Sequence, residues 1–294
     1  MLIYNFCAFA MQMPIGVIAD KTAKSHSFAF VGIFLVCAAF FMLKHPVAAI
    51  VACGVGNGFF HIGGGIGVIQ ASEGKGGLLG VFVSPGAFGV YFGTQSGQKE
   101  LLLALPIIIA LLAASMPILT LAKKNTKPEI KPSSHSLDSL WPVACIFLVV
   151  LMRSWMGLSF NYPWKKIGCW GAAVVSAVVA GKAAGGFASD YNGPTKASLA
   201  SLGGAAVLFS FSHVPVIGVA SMFFFNMTMP ISLWALAKLF DGADGFAFGM
   251  LAFALFLGYL PPYLSINLEG NIVYSLACAL SLALLWTGLK EGGL

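Results

Sequence analysis

Polar residues punctuate this chain rather than alternate with apolar ones. Long apolar runs recur from end to end, each closed by a short cluster of Gly, Pro, Lys, Asp or Ser. Eleven segments can be read, at about 1–19, 27–43, 46–69, 77–95, 100–122, 139–162, 169–189, 196–212, 214–238, 243–262 and 268–288. A helix rises about 1.5 Å per residue and a bilayer's hydrocarbon core is about 30 Å thick, so about 20 apolar residues span it. Most of the segments reach that length; the shorter ones need flanking residues or a thinner local bilayer. A transmembrane β-barrel would show alternating stretches of about ten residues instead. The pattern predicts an all-α, polytopic transmembrane helical bundle.

Composition agrees. Of 294 residues, 59% are hydrophobic and 9% charged, against about 25% charged in soluble domains. Mean hydropathy is +0.90. An ordinary soluble enzyme, a disordered chain and a nucleic-acid binder are excluded. The one long polar stretch, KKNTKPEIKPSSHSLDS from Lys123 to Ser139, divides the chain. We expect an N-terminal bundle of five spans over 1–122, a cytoplasmic linker over 123–138 and a C-terminal bundle of six spans over 139–294. With the first loop in the cytoplasm, ten loop lysines fall on that side. Lys44, Lys99, Lys165 and Lys166 fall outside, which is the positive-inside bias. Linker and C-terminus are thereby expected in the cytoplasm, and the net charge of +6 needs no nucleic acid to explain it. Lys165 and Lys166 run against the bias and could attract an anion to the outer mouth. The six cysteines have no metal-type spacing, so neither a metal site nor a cofactor is expected.

Two short motifs recur. Gly16-Val-Ile-Ala-Asp20-Lys21 closes the first span and Gly186-Phe-Ala-Ser-Asp190-Tyr191 closes the seventh helical segment's run. Gly lets a neighbouring helix approach closely, and Asp can bond loop amides or a cation on that neighbour. These motifs resemble the Gly-x-x-x-Asp-Arg/Lys-x-Gly-Arg/Lys loop signature of the major facilitator superfamily. The first copy matches at Gly16, Asp20, Lys21 and Lys24, with Ala23 where Gly is usual. The second matches at Gly186, Asp190 and Gly193. Gly80-Val-Phe-Val-Ser84-Pro85-Gly86 resembles the Gly/Pro motif of that family's fifth helix. Gly54-Val-Gly56-Asn57-Gly58-Phe-Phe-His61 is similar to the fourth helix of its fosmidomycin-resistance-type exporters. The resemblance implies two bundles related by a pseudo-twofold axis, with conformational locks at Gly16, Asp20, Lys21, Lys24, Gly186 and Asp190. Counted from the two aspartates, the first half has one span fewer than the second. The helix corresponding to the family's first is therefore expected to be missing, through a misplaced start or a deletion.

Ionisable residues inside a bilayer are costly and become functional candidates. Three sit well inside a span: His61, Arg153 and Lys182; every Asp and Glu lies at a span end or in a loop. Arg153 offers a rigid fork for a carboxylate or phosphate, or it could bond helix-end carbonyls. Lys182 lies about 12 Å along a helix from Asp190, too far for local pairing, and could touch substrate or another helix's carbonyls. His61, one turn after Asn57, could relay a proton, bind an anion, or simply bond a backbone carbonyl. Asn226 and Pro230 interrupt an apolar span, and Pro85 bends another; broken helices often border transporter sites. Asn226 and Trp155 complete the expected substrate-binding set with Asn57.

The resulting expectation is a secondary transporter, not an enzyme, in a bacterial cytoplasmic membrane. It would move a small organic anion, phosphonate- or phosphate-like, by alternating access. Export is implied by the resemblance, and proton coupling would fall to His61. The expected partners are that small anion, the lipid bilayer and protons. An uncoupled anion channel or uniporter, and a truncated membrane scaffold or sensor, are the alternatives.

Overall fold

The structure is a computed structural model that describes residues 1–98, 106–113, 140–266 and 268–294. Among the described residues there is no strand, and nine helical spans are long and apolar enough to cross a membrane. The helices are α1 (Leu2–Thr22), α2 (Ser25–Met42), α3 (Pro46–Ala71), α4 (Gly77–Gly97) and α5 (106–113). They continue with α6 (Trp141–Ser159), α7 (Trp170–Asn192), α8 (Pro194–Phe209), α9 (Pro215–Leu239), α10 (Asp244–Tyr263) and α11 (Asn271–Glu291). The chain is an integral membrane protein. The linker expected over 123–138 and most of the segment expected over 100–122 lie outside the described residues.

Sequence punctuation sets the boundaries. Pro stands in the first turn of α3, α6, α8 and α9, where its missing N–H costs no helical bond. Gly193, at φ +84°, makes the turn between α7 and α8. Ala23 closes α1 in the left-handed region at φ +52°, a conformation that favours glycine. At 16 residues, α8 reaches only about 24 Å, and turns at Ser210–Ser212 extend it.

Two spans are broken. Between Asn226 and Thr228, α9 interrupts its helix, and Met227 N donates to Phe224 O in a tighter turn. Pro230 has no N–H to offer the Asn226 carbonyl, which accounts for the interruption. In α4 the helix breaks at Ser84–Pro85. A third irregularity had no counterpart in the sequence pattern: Phe6–Ala10 of α1 is a π-turn.

Close packing follows the small residues. A Cβ on Gly56 would lie 2.8 Å from Gly32 O, and one on Gly32 would lie 2.6 Å from Gly56 O, so α2 and α3 meet backbone to backbone. Within the second half, α6 packs on α10 and α11, α8 on α9 and α11, and α7 on α9. The most extensive contacts between early and late helices are α1 with α10 and α4 with α7, and α3 with α10 and α4 with α9 also meet. At the end of this second group opposite Asp190, an aromatic plug closes the helices. Phe160 meets Tyr162, Trp164 and Phe209 edge to face, and Tyr274 meets Tyr162 edge to face, with Tyr274 Oη donating to Ser159 O at 2.5 Å. Lys165 belongs to this plug. Its Nζ donates to Phe160 O at 3.0 Å and lies over the Phe160 ring, and burial holds the ammonium below its ordinary pKa. Lys166 alone of that pair stays exposed.

Candidate functional site

The two Gly-x-x-x-Asp motifs land on the two most extensive contacts between early and late helices, α1 with α10 and α4 with α7. The Asp20 carboxylate, at the end of α1, accepts from the backbone amides of Gly245 and Phe246, both at 2.8 Å. Those amides open α10. The Asp190 carboxylate, in the last turn of α7, accepts from Gly76 N at 2.6 Å and Gly77 N at 2.8 Å, which open α4. Helix N-termini carry unpaired amides and a partial positive charge, so a carboxylate there is doubly favoured. The glycines make the approach possible. A Cβ on Gly245 would lie 2.7 Å from Gly16 O, and one on Gly186 would lie 2.8 Å from the Gly76 carbonyl carbon. Lys21 and Lys24 stay exposed at the same end.

This end of the molecule is closed by further contacts. Trp234 Nε1, on α9, donates to Gly74 O at 2.6 Å, and Gln70 Nε2 donates to Asp244 at 3.3 Å. Sequence reasoning named Asp20 and Asp190 but not the amides that donate to them, nor Gly74 as the partner of Trp234, nor the Gln70–Asp244 pair. The one available signal was the placement of Gly76-Gly77 and Asp244-Gly245 just where apolar runs begin.

Above the closed end, the basic side chains meet the broken helices. Arg153, on α6, is 5% exposed. Its Nη1 donates to Phe225 O at 3.3 Å and its Nη2 to Thr228 Oγ1, across the break in α9. Its guanidinium also lies 5.6 Å from the centre of the Phe225 ring. Nε is buried with no partner. Lys182, on α7, donates from Nζ to Val83 O at 3.3 Å, at the break in α4. Thus each cation bonds a carbonyl at a break in a neighbouring helix, where irregular backbone in a membrane needs partners. His61 Nδ1 lies 3.0 Å from Asn57 O. A carbonyl can only accept, so the proton sits on Nδ1 and Nε2 is the free ring atom. Lys182 is within electrostatic range of both His61 and Arg153.

The other expected residues divide. Asn57 is half-buried beside His61. Asn226 is buried and spends its amide on Met222 O at 2.8 Å, within its own helix. Trp155 is half-buried against the core. Pro85 and Pro230 stand at the two breaks. Gln12 was not expected: 1% exposed, it donates to Ala8 O at 2.6 Å beside the π-turn and leaves Oε1 without a partner. It occupies the place in α1 that Lys182 occupies in α7, counted from the two motif aspartates. All six cysteines are free thiols, and no group of His, Cys, Asp or Glu that could hold a metal occurs among the described residues.

No family model and no curated protein matches the sequence. Solved structures do match. The E. coli fucose:proton symporter FucP, a major facilitator superfamily transporter, superposes in its outward conformation with a TM-score of 0.66 at 14% identity, over 99% of this chain and 88% of that one. A point variant of the same symporter gives 0.65 over 99% and 89%. A bacterial homologue of the iron transporter ferroportin, outward-facing, gives 0.59 at 14% identity over 99% and 88%. The fold is therefore that of major facilitator superfamily transporters.

Proposed function

We propose that this protein is a secondary transporter that moves a small organic anion by alternating access. The observation that carries the reading is the gathering of Arg153, Lys182 and His61 around the two helix breaks, with no described carboxylate bonded to any of them. A buried cation needs a counter-charge. A transported anion supplies one that comes and goes.

The locks suit the same cycle. Asp20 and Asp190 each tie the end of a helix in one half to the start of a helix in the other. Breaking both pairs of bonds would open the end that is now closed. The cations would then be reached from the other side of the membrane while staying in place. An open channel has no use for paired caps at one end. We further propose that the halves divide at the 123–138 linker, and that His61 Nε2 is the atom that exchanges a proton with the cavity.

The test is thermal stabilisation of the detergent-purified protein by methylphosphonate, phosphate and acetate, beside Arg153→Gln and Lys182→Gln. Ligand at about 100 times its Kd stabilises the native state by about 2.7 kcal/mol. We expect at least one anion to raise the melting temperature of the wild type, and both variants to lose the rise while remaining folded. No rise with any anion, in a folded wild type, would overturn the reading.

A further inference from the structure

Aromatic rings stand between the cations and the closed end, on both sides of the interface. Phe82, on α4, places its ring centre 6.2 Å from that of His61. It meets Phe248 of α10 edge to face at 6.0 Å. Two glycines of α3 make room for them. A Cβ on Gly64 would lie 2.9 Å from the Phe82 ring, and one on Gly65 would lie 2.6 Å from the Phe248 ring. Phe248 lies one helical turn, about 6 Å, above the start of α10, and Phe82 about 7.5 Å above the start of α4. Lys182 lies about 12 Å from Asp190, and Thr228, which holds Arg153, about 16 Å from the end of α9. Phe82 is only partly buried although His61, Phe248 and Gly64 surround it. Part of its side chain is therefore left uncovered.

Hydrogen-bonding capacity points the same way. The Asn226 amide, the Thr228 hydroxyl and the Ser232 hydroxyl are all spent within α9 or on Arg153. The charged groups at this depth, the Lys182 ammonium and the Arg153 guanidinium, are both cationic donors, and the neutral acceptors beside them are His61 Nε2 and Gln12 Oε1.

We infer that the substrate is an anion with an aromatic or bulky apolar body, its charged group held at Lys182 and Arg153, and at His61 when Nε2 carries a proton, and its body laid against Phe82, which the buried Phe248 backs. This rests on the anion reading above and narrows it. Burying apolar surface against the rings adds to the charge interaction, so body and head contribute separately.

Two matched probe pairs test it by melting-temperature titration of the full chain: phenylphosphonate against methylphosphonate, and benzoate against acetate. Benzyl alcohol serves as the neutral control. We expect the aromatic member of at least one pair to bind at least tenfold more tightly than its partner. Phe82→Leu and Phe248→Leu keep an apolar side chain but lose the ring. We expect them to cut that ratio below threefold while binding of the small anion stays within twofold. Ratios near one in the wild type, ratios untouched in both variants, or benzyl alcohol binding as tightly as the aromatic anions would overturn the inference and leave the anion reading standing. If no anion stabilises the folded wild type at all, both fall together.

Discussion

At the scale of single residues, the two caps look alike but differ in surroundings. Asp20 is half-buried and Asp190 is exposed. Water competes more strongly for the Asp190 carboxylate, so its cap contributes less. Asp20→Asn is expected to weaken the closed end by about 1 kcal/mol, and Asp190→Asn by less. Alkylation of a cysteine placed at the buried Ser72, in a variant without the native thiols, checks the order: labelling should rise further in the Asp20 variant. Ala23 gives a second prediction. It holds φ +52° at the end of α1, where an L side chain costs about 1–2 kcal/mol that glycine avoids, less the chain entropy glycine loses on folding. Ala23→Gly is expected to raise the melting temperature in detergent, and an unchanged or lower value would contradict it. Both aspartates were legible in the sequence because Gly-x-x-x-Asp repeats at the ends of two apolar runs. Their partners were not, because a backbone amide carries no side-chain signature. Sequence can mark the acceptor, while only packing reveals which helix start it meets.

At the scale of helices, irregularity rather than regularity carries the chemistry. The breaks in α4 and α9 were legible because Pro85 and Pro230 announce them. That Lys182 and Arg153 would bond the carbonyls at those breaks could be framed only as one alternative, since the two partners of each bond are far apart in sequence. The π-turn at Phe6–Ala10 left no mark, because its residues are as apolar as any in the chain and only hydrogen-bond register distinguishes it. The break in α9 makes its own prediction. Pro230→Ala restores an N–H that can reach Asn226 O and should heal the helix between Asn226 and Thr228. Hydrogen exchange of amides 226–230 should then slow, and thermal stability should rise. If the break serves movement of the two halves, transport should slow with it. Exchange as fast as in the wild type would mean that Arg153 and Thr228, not proline, hold the break open.

At the scale of the molecule, the sign of proton linkage decides how the cavity works. His61 spends Nδ1 on Asn57 O, so a proton from solution can add only at Nε2. Lys182 is the charged group within range of that ring, and Phe60 and Phe82 are the rings against it. An anion bound among these groups offsets the Lys182 charge that a proton on Nε2 would meet, and it accepts the new N–H as a donor. Proton and anion therefore favour each other, and by linkage each strengthens the other's binding by the same factor. Benzoate stays ionised between pH 8 and pH 5.5, so its own titration does not obscure the measurement. Its affinity is expected to rise severalfold over that fall in the wild type and to rise clearly less in His61→Gln, where Lys182 remains. This sign makes proton and anion travel together. Export by exchange, which the sequence resemblance suggests, needs the opposite one: protons that displace the anion, with affinity falling as pH falls. The same titration thus separates co-transport from exchange before any vesicle is made, and a curve that is flat in both proteins would remove His61 from the coupling altogether.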